Sequence, residues 1–206
     1  MGLTSVLLKD PILFLALAVP MLYSVIMHEI AHGAVAYLFG DDTAKRMGRL
    51  TLNPKANLDL VGTVALFIVG FGWAKPVPVN YYKLKNYRLG MICVSFAGCF
   101  TNILIAAISI YLLKVLKLNP DSYIAIALLV LAKINILLGA FNLIPFPPLD
   151  GSKVLLGFMP IGVRQSVERY EQFGFIILFF LLLSGLLNPL INLIQNIILQ
   201  FIGMLL

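Results

Sequence analysis

The feature that most constrains this chain is a recurrence of apolar runs about as long as a bilayer is thick. Residues 11–39, 91–113 and 122–144 are each mostly apolar and reach the roughly 20 residues at which a helix crosses the hydrocarbon core. Lipid offers no partner to a bare N–H or C=O, so such runs must satisfy their backbone internally, as helices. The 206 residues are 61% hydrophobic and only 12% charged, with a mean hydropathy of +0.99, which excludes a soluble globular domain. The basic residues behind the net charge of +6 gather in the segments between runs. They read as a topology signal, and no nucleic-acid partner is expected. The length suits a single membrane-embedded domain, 1–206, with a core over 11–156 and a C-terminal helical hairpin over 172–206. The first run is too long for a cleavable signal peptide. Cys93 and Cys99 lie six residues apart in one expected helix, about 9 Å of rise, and read as two small buried hydrophobes.

Shorter pieces separate the runs. Residues 48–54, Gly-Arg-Leu-Thr-Leu-Asn-Pro, alternate like a short strand ended by proline. Residues 58–73 are apolar but too short to cross and read as re-entrant. Residues 75–80, Lys-Pro-Val-Pro-Val-Asn, read as an extended edge segment. Residues 153–171 are amphiphilic, and the final hairpin, 172–187 and 190–206, is expected to turn at Asn188-Pro189. The fold class is therefore an all-α polytopic membrane protein. It should have five to six transmembrane or re-entrant helices, with short membrane-associated β-strands near the active site.

If 58–73 dips in and returns, residues 41–90 and 146–171 share one side and carry eleven of the basic residues, against Lys9, Lys114 and Lys117 opposite. The bias places the 41–90 side in the cytoplasm of a multi-pass cell-membrane protein. The cytoplasmic half of the first run then holds His28, Glu29 and His32.

His28 and His32 are the chain's two histidines, four apart. On a helix that spacing puts both imidazoles on one face, one turn from each other, as two ligands gripping one tetrahedral Zn2+ require. Glu29, on an adjacent face, reaches a water beside the ion instead of sharing it. His-Glu-x-x-His on a helix is the zinc-peptidase pattern. A hydrogen-bonded histidine pair is the bland alternative, but ionisable side chains inside a membrane are costly and usually functional. A catalytic zinc takes three protein ligands, and no third histidine remains.

Asp150 is a candidate third ligand. It follows Pro145, Pro147 and Pro148, so its approach is not regular helix, and Gly151 permits a sharp turn. The alternative is that Asp150 caps a helix starting near Gly151. Beside an incomplete histidine pair, the ligand reading is favoured.

Five segments carry a resemblance: 28–32 (HEIAH), 52–63 (LNPKANLDLVGT), 72–80 (GWAKPVPVN), 95–102 (SFAGCFTN) and 141–151 (FNLIPFPPLDG). In these the chain resembles the site-2 proteases, which are intramembrane zinc metalloproteases. It is most similar to small bacterial-type members without an added regulatory domain. The resemblance implies that His28, His32 and Asp150 bind one zinc, that Glu29 is the general base, and that Asn142 helps hold substrate or the reacting carbonyl. Two departures stand out: Asn57 where members often carry histidine, and Gly98-Cys99 where they often carry Gly-Pro.

The expected function is hydrolysis of peptide bonds in or near transmembrane segments, on membrane-protein substrates or remnant signal peptides. The extended pieces at 48–54 and 76–80 would clamp unwound substrate by strand addition. The amide of Asn142 either donates to the developing oxyanion or makes a helix-end hydrogen bond. Asn102 and Asn135 read as interhelical hydrogen bonds. Lys133 is left open between snorkelling, pairing and facing a cavity. Asn192, Gln195, Asn196 and Gln200 form a polar stripe for helix packing or for a substrate-facing wall. The partners expected are a transmembrane substrate and the bilayer, and a homo-oligomer is allowed. The competing functions are a catalytically silent metal-binding scaffold and a small ion transporter.

Overall fold

The structure, a computed structural model, describes residues 3–69 and 74–206. Its helices run in chain order: α1 Leu3–Lys9, α2 Pro11–Leu38, α3 Thr43–Arg46, α4 Pro54–Asn57, α5 Leu60–Val69, α6 Tyr87–Leu116, α7 Tyr123–Asn142, α8 Asp150–Phe158, α9 Ile161–Leu183 and α10 Asn188–Leu205. Four of these, α2, α6, α7 and α10, are long and apolar enough to span a membrane. The expected all-helical membrane architecture is present. Of the additional crossings, α5 has ten residues, and α9 is apolar only over Phe173–Leu183. The segment 58–73, expected to be re-entrant, falls in part on residues 70–73, outside the described residues.

Side-chain caps set the starts of the first three long helices. The carboxylate of Asp10 accepts from Leu13 N–H, the amide oxygen of Asn86 from Leu89 N–H, and the hydroxyl of Ser122 from Ala125 N–H. Each satisfies a backbone donor that the first helical turn leaves free.

Helix α6 lies at the centre, packed against α2, α7 and α8, while α10 lies on α7. Its buried face repeats every fourth residue: Gly90, Val94, Gly98, Asn102, Ala106. The facing stripe of α2 has the same period: Ser24, His28, His32, Ala36. Small side chains at this spacing let two helical backbones approach closely where lipid gives no hydrophobic drive to associate. Gly98 lies in the middle of α6, where it faces the His28 and His32 side chains of α2.

The expected strands do not form. Among the described residues there is no sheet, and one isolated antiparallel bridge, Leu58 to Ala74, stands where pairing was expected. Residues 74–80 are extended, but Pro76 and Pro78 have no N–H to give a ladder. Their neighbours bond elsewhere: Lys75 N–H to Asn57 O, Val77 N–H to Glu29 Oε2 at 2.8 Å, and Asn80 N–H to Asp41 Oδ2 at 2.6 Å. The segment is a strap laid on α2 and tied by two side-chain carboxylates and by the backbone of Asn57.

The C-terminal hairpin also differs from expectation. Its turn is Ser184–Leu187, with Gly185 at φ 73°, and Asn188-Pro189 begins α10 instead of turning it. Proline fits the first turn of a helix, where its missing N–H costs no bond. Residues 153–171 do not form one amphiphilic helix; Pro160 separates α8 from α9. On α10, Ile191, Ile198 and Ile202 are buried, whereas Asn192, Asn196 and Gln200 are exposed and Gln195 half-buried. Most of the polar stripe therefore faces outward among the described residues. Lys133 is exposed on α7.

Candidate metal centre

His28 and His32 project from α2 into the groove opened by Gly98. A Cβ at Gly98 would lie 2.5 Å from His28 Cε1 and 2.5 Å from His32 Nε2, far inside van der Waals contact, so glycine alone fits. The rings meet edge to face, with centroids 4.6 Å apart. From the other side comes Asp150, the first residue of α8, delivered by the proline-rich loop. That loop folds tightly: Gly151 sits so close to the end of α7 that a Cβ there would lie 2.3 Å from the carbonyl oxygen of Leu143. Gly151 is thus required by close packing inside α8, and not by a sharp turn.

The three side chains converge. His28 Nε2 and His32 Nε2 are 3.0 Å apart, and Asp150 Oδ2 is 3.1 Å from each. Three ligands at about 2.0–2.1 Å on a tetrahedral zinc stand about 3.3 Å apart, so this triangle is the right size to hold one ion on its open face. The histidines are 6% and 9% exposed, which shields such an ion from water on the α2–α6 side.

The donor set fits a cation for a second reason. His32 Nδ1 donates to the carbonyl of Val94 at 2.7 Å, and that oxygen can only accept. His28 Nδ1 donates to Asn102 Oδ1 at 2.7 Å. With both protons on Nδ1, both Nε2 atoms turn lone pairs toward a carboxylate oxygen about 3 Å away, an arrangement that a metal cation at its centre, or a proton shared with Asp150, satisfies.

Asn102 Nδ2 donates to Asn135 Oδ1 at 3.1 Å. Asn135 Nδ2 donates to Ser24 Oγ at 2.7 Å and to the carbonyl of Leu131 at 2.8 Å. Asn102 and Asn135 are interhelical bonds, as expected. Their link to a candidate ligand was legible only in outline: a buried amide in an apolar helix signals a partner without naming it. The role of Val94 had no sequence signal, since every residue carries a carbonyl.

Glu29 lies on the next face of α2, half-buried, with Oε2 held by Val77 N–H. Gly33, one turn on, makes room for the strap; a Cβ there would lie 2.7 Å from Leu50 Cδ2 and 2.9 Å from Val77 Cγ1. The strap is anchored from below by buried Arg49, whose Nε donates to Asn57 Oδ1 at 3.2 Å and whose guanidinium also donates to the carbonyl of Lys75. The Asp41 carboxylate, which takes the Asn80 end, also accepts from the N–H and hydroxyl of Thr43. Burial alone would raise its pKa; these donors and Lys83 outweigh burial and hold it below the usual carboxylate value.

Asn142 ends α7, with its amide donating to Leu138 O at 3.0 Å. That is the helix-end bond of the two expectations. One turn beyond Asp150, a cavity of about 510 Å³ opens between the strap, α6, α8 and α9, lined by Tyr81, Met91, Ser152, Lys153 and Glu171 among others. Lys153 Nζ and Glu171 Oε1 lie 3.6 Å apart across it. Burial alone would lower the Lys153 pKa, but Tyr81, Glu171 and Asp150 together hold it above the ordinary lysine value.

Comparison with known proteins agrees with this chemistry. A family model described as peptidase family M50 matches residues 117–185. The chain is 39% identical over 191 residues to "Putative zinc metalloprotease YwhC" of Bacillus subtilis, covering 85% of each chain. It is 27% identical over 175 residues to "Putative zinc metalloprotease Rip2" of Mycolicibacterium smegmatis, covering 81% of this chain and 66% of that one. It is 24% identical over 184 residues to "Zinc metalloprotease MJ0392" of Methanocaldococcus jannaschii, covering 88% of this chain and 46% of the relative. No solved structure matches.

Proposed function

The chain belongs to peptidase family M50, the site-2 proteases, and from that premise we propose an intramembrane zinc endopeptidase that hydrolyses peptide bonds in or near the transmembrane segments of other membrane proteins. The observation that carries the reading is the meeting of His28, His32 and Asp150 in one triangle. Zinc is the cofactor of this family, and those three residues would hold one ion per chain. When bound, it supplies acidified water and a polarised scissile carbonyl.

The other steps fall to the chain's own residues. Glu29 takes a proton from water and returns it to the leaving amine. Val77 N–H keeps the carboxylate aimed while its other oxygen works. Asn142, with one amide proton on Leu138 O, has a second to offer the substrate carbonyl. A helical substrate hides its peptide bonds, so a stretch of it unwinds and lies extended along residues 74–80. The whole chain, 1–206, acts as one domain, with the site toward the cytoplasm of the cell membrane, where the Lys and Arg bias puts the 41–90 side.

Glu29→Gln is the direct test. Purified protein should keep its zinc and lose at least about 100-fold of its cleavage of a tagged single-span substrate, the lower range of a general base's contribution. Retained cleavage would remove Glu29 as the base. Retained zinc with wild-type protein cutting no membrane substrate from a broad panel would instead favour the silent scaffold.

A further inference from the structure

We infer that Asn135 and Ser24, with Asn102, form a polarised relay that sets which nitrogen of His28 faces the metal; this rests on the reading of His28 as a ligand. The relay's direction is forced from its far end. The carbonyl of Leu131 can only accept, so the Asn135 side chain must present Nδ2 to it. Ser24 has committed its proton to the carbonyl of Pro20 at 2.6 Å, so its oxygen is also an acceptor for Asn135 Nδ2. Both constraints turn Asn135 Oδ1 toward Asn102. Asn102 must answer with Nδ2, which leaves Oδ1 for His28. An oxygen there takes the proton of Nδ1 and frees the Nε2 lone pair for the ion.

An amide alone does not choose this. Asn presents a donor as readily as an acceptor, and a half-turn of Asn102 would offer N–H to Nδ1 and place the ring proton on Nε2, where it blocks ligation. His32 needs no relay, because a backbone carbonyl cannot turn over. All three relay side chains are fully or almost fully buried, at 0–1% exposure, so water does not substitute for a lost partner. Asn135 and Ser24 are thus positioning residues acting through Asn102, and the pairing brings α2, α6 and α7 together at the metal.

The test uses full-length protein in detergent, with zinc affinity measured by chelator competition. Asn102→Leu and Asn135→Leu should each weaken zinc binding about 10–100-fold, the range for partners of metal-bound histidines, and Ser24→Ala less, since Leu131 O still holds Asn135. The second readout is the imidazole nitrogen and proton spectrum of the zinc-loaded protein, simple because the chain has two histidines. Wild type should show both rings protonated at Nδ1 and hydrogen-bonded. Asn135→Leu should shift the His28 N–H while leaving His32 in place, which a general loosening of the bundle would not do. Wild-type His28 protonated at Nε2 would overturn the relay without any variant. Folded Leu variants within twofold of wild-type affinity would do the same. His28→Ala and Asp150→Asn separate the two readings: if they abolish zinc binding while the relay variants do not alter it, only the relay fails. If they leave zinc bound, the metal site itself fails.

Discussion

The two sides of α2 are built on opposite principles. One side carries His28 and His32 and is gripped by α6, helix to helix, through facing stripes spaced by four in which Gly90, Gly98, Ala106, Ser24 and Ala36 are small. The other side carries Glu29 and Gly33 and is covered by an extended strap held by single hydrogen bonds at separate points and by the packing of Val77 and Val79. Helix packing fixes ligand atoms to within tenths of an ångström, which a metal site requires. A strap fixed at separate points holds a carboxylate yet can be displaced at lower cost, as a groove that must admit a substrate backbone needs. Metal binding and proton transfer should therefore fail separately when the two faces are damaged separately.

The largest effect should come from the ligand face. Gly98→Val forces a side chain into both imidazoles and should abolish zinc binding, measured by metal content after dialysis, with helical circular dichroism retained. Zinc retained in that variant would break the comparison. Next, Gly33→Val pushes against Leu50, Val77 and Ala44. It should lower cleavage by about 10–100-fold through misplacement of the base while zinc affinity stays within twofold. Third, Arg49→Met removes the strap's anchor. Lost hydrogen bonds to a charged group should destabilise the protein by about 2 kcal/mol, seen as a lower melting temperature with zinc content unchanged. The smallest effect concerns Asp41. Because its folded pKa lies below the unfolded value of about 3.9, its contribution is full above that value and fades as pH falls through the folded one. Asp41→Asn should melt below wild type at pH 7, and the gap should close under acid; a gap that widens there would contradict the assigned shift.

The ligand face was largely legible in the sequence, and the strap face was not. His28, His32 and Asp150 could be paired because helical spacing fixes which residues share a face, and three prolines mark where a helix must stop. Residues 75–80 alternate as a strand does, but alternation reports only that the backbone is extended. Whether it pairs depends on free donors in a neighbour, and Pro76 and Pro78 remove a third of its own. The hairpin was misplaced for a related reason: Asn188-Pro189 is as good a helix start as a turn, and the positive-φ glycine three residues earlier decided between them. The amides of α10 were visible as a stripe, but a helix's periodicity does not say which neighbour its polar side meets, and here Asn192, Asn196 and Gln200 are exposed while Gln195 is half-buried.

The paired prolines leave the strap lopsided in what it can exchange with a visitor. Its Lys75, Val77 and Asn80 N–H groups are already engaged, whereas among the described residues the carbonyls of 76–79 accept nothing. Within 75–80 the N–H of Val79 alone lacks a partner among the described residues, against four open carbonyls, so a guest peptide settling there must bring most of the protons itself, and chains alkylated at alternate nitrogens, or rich in proline, would find little to hold.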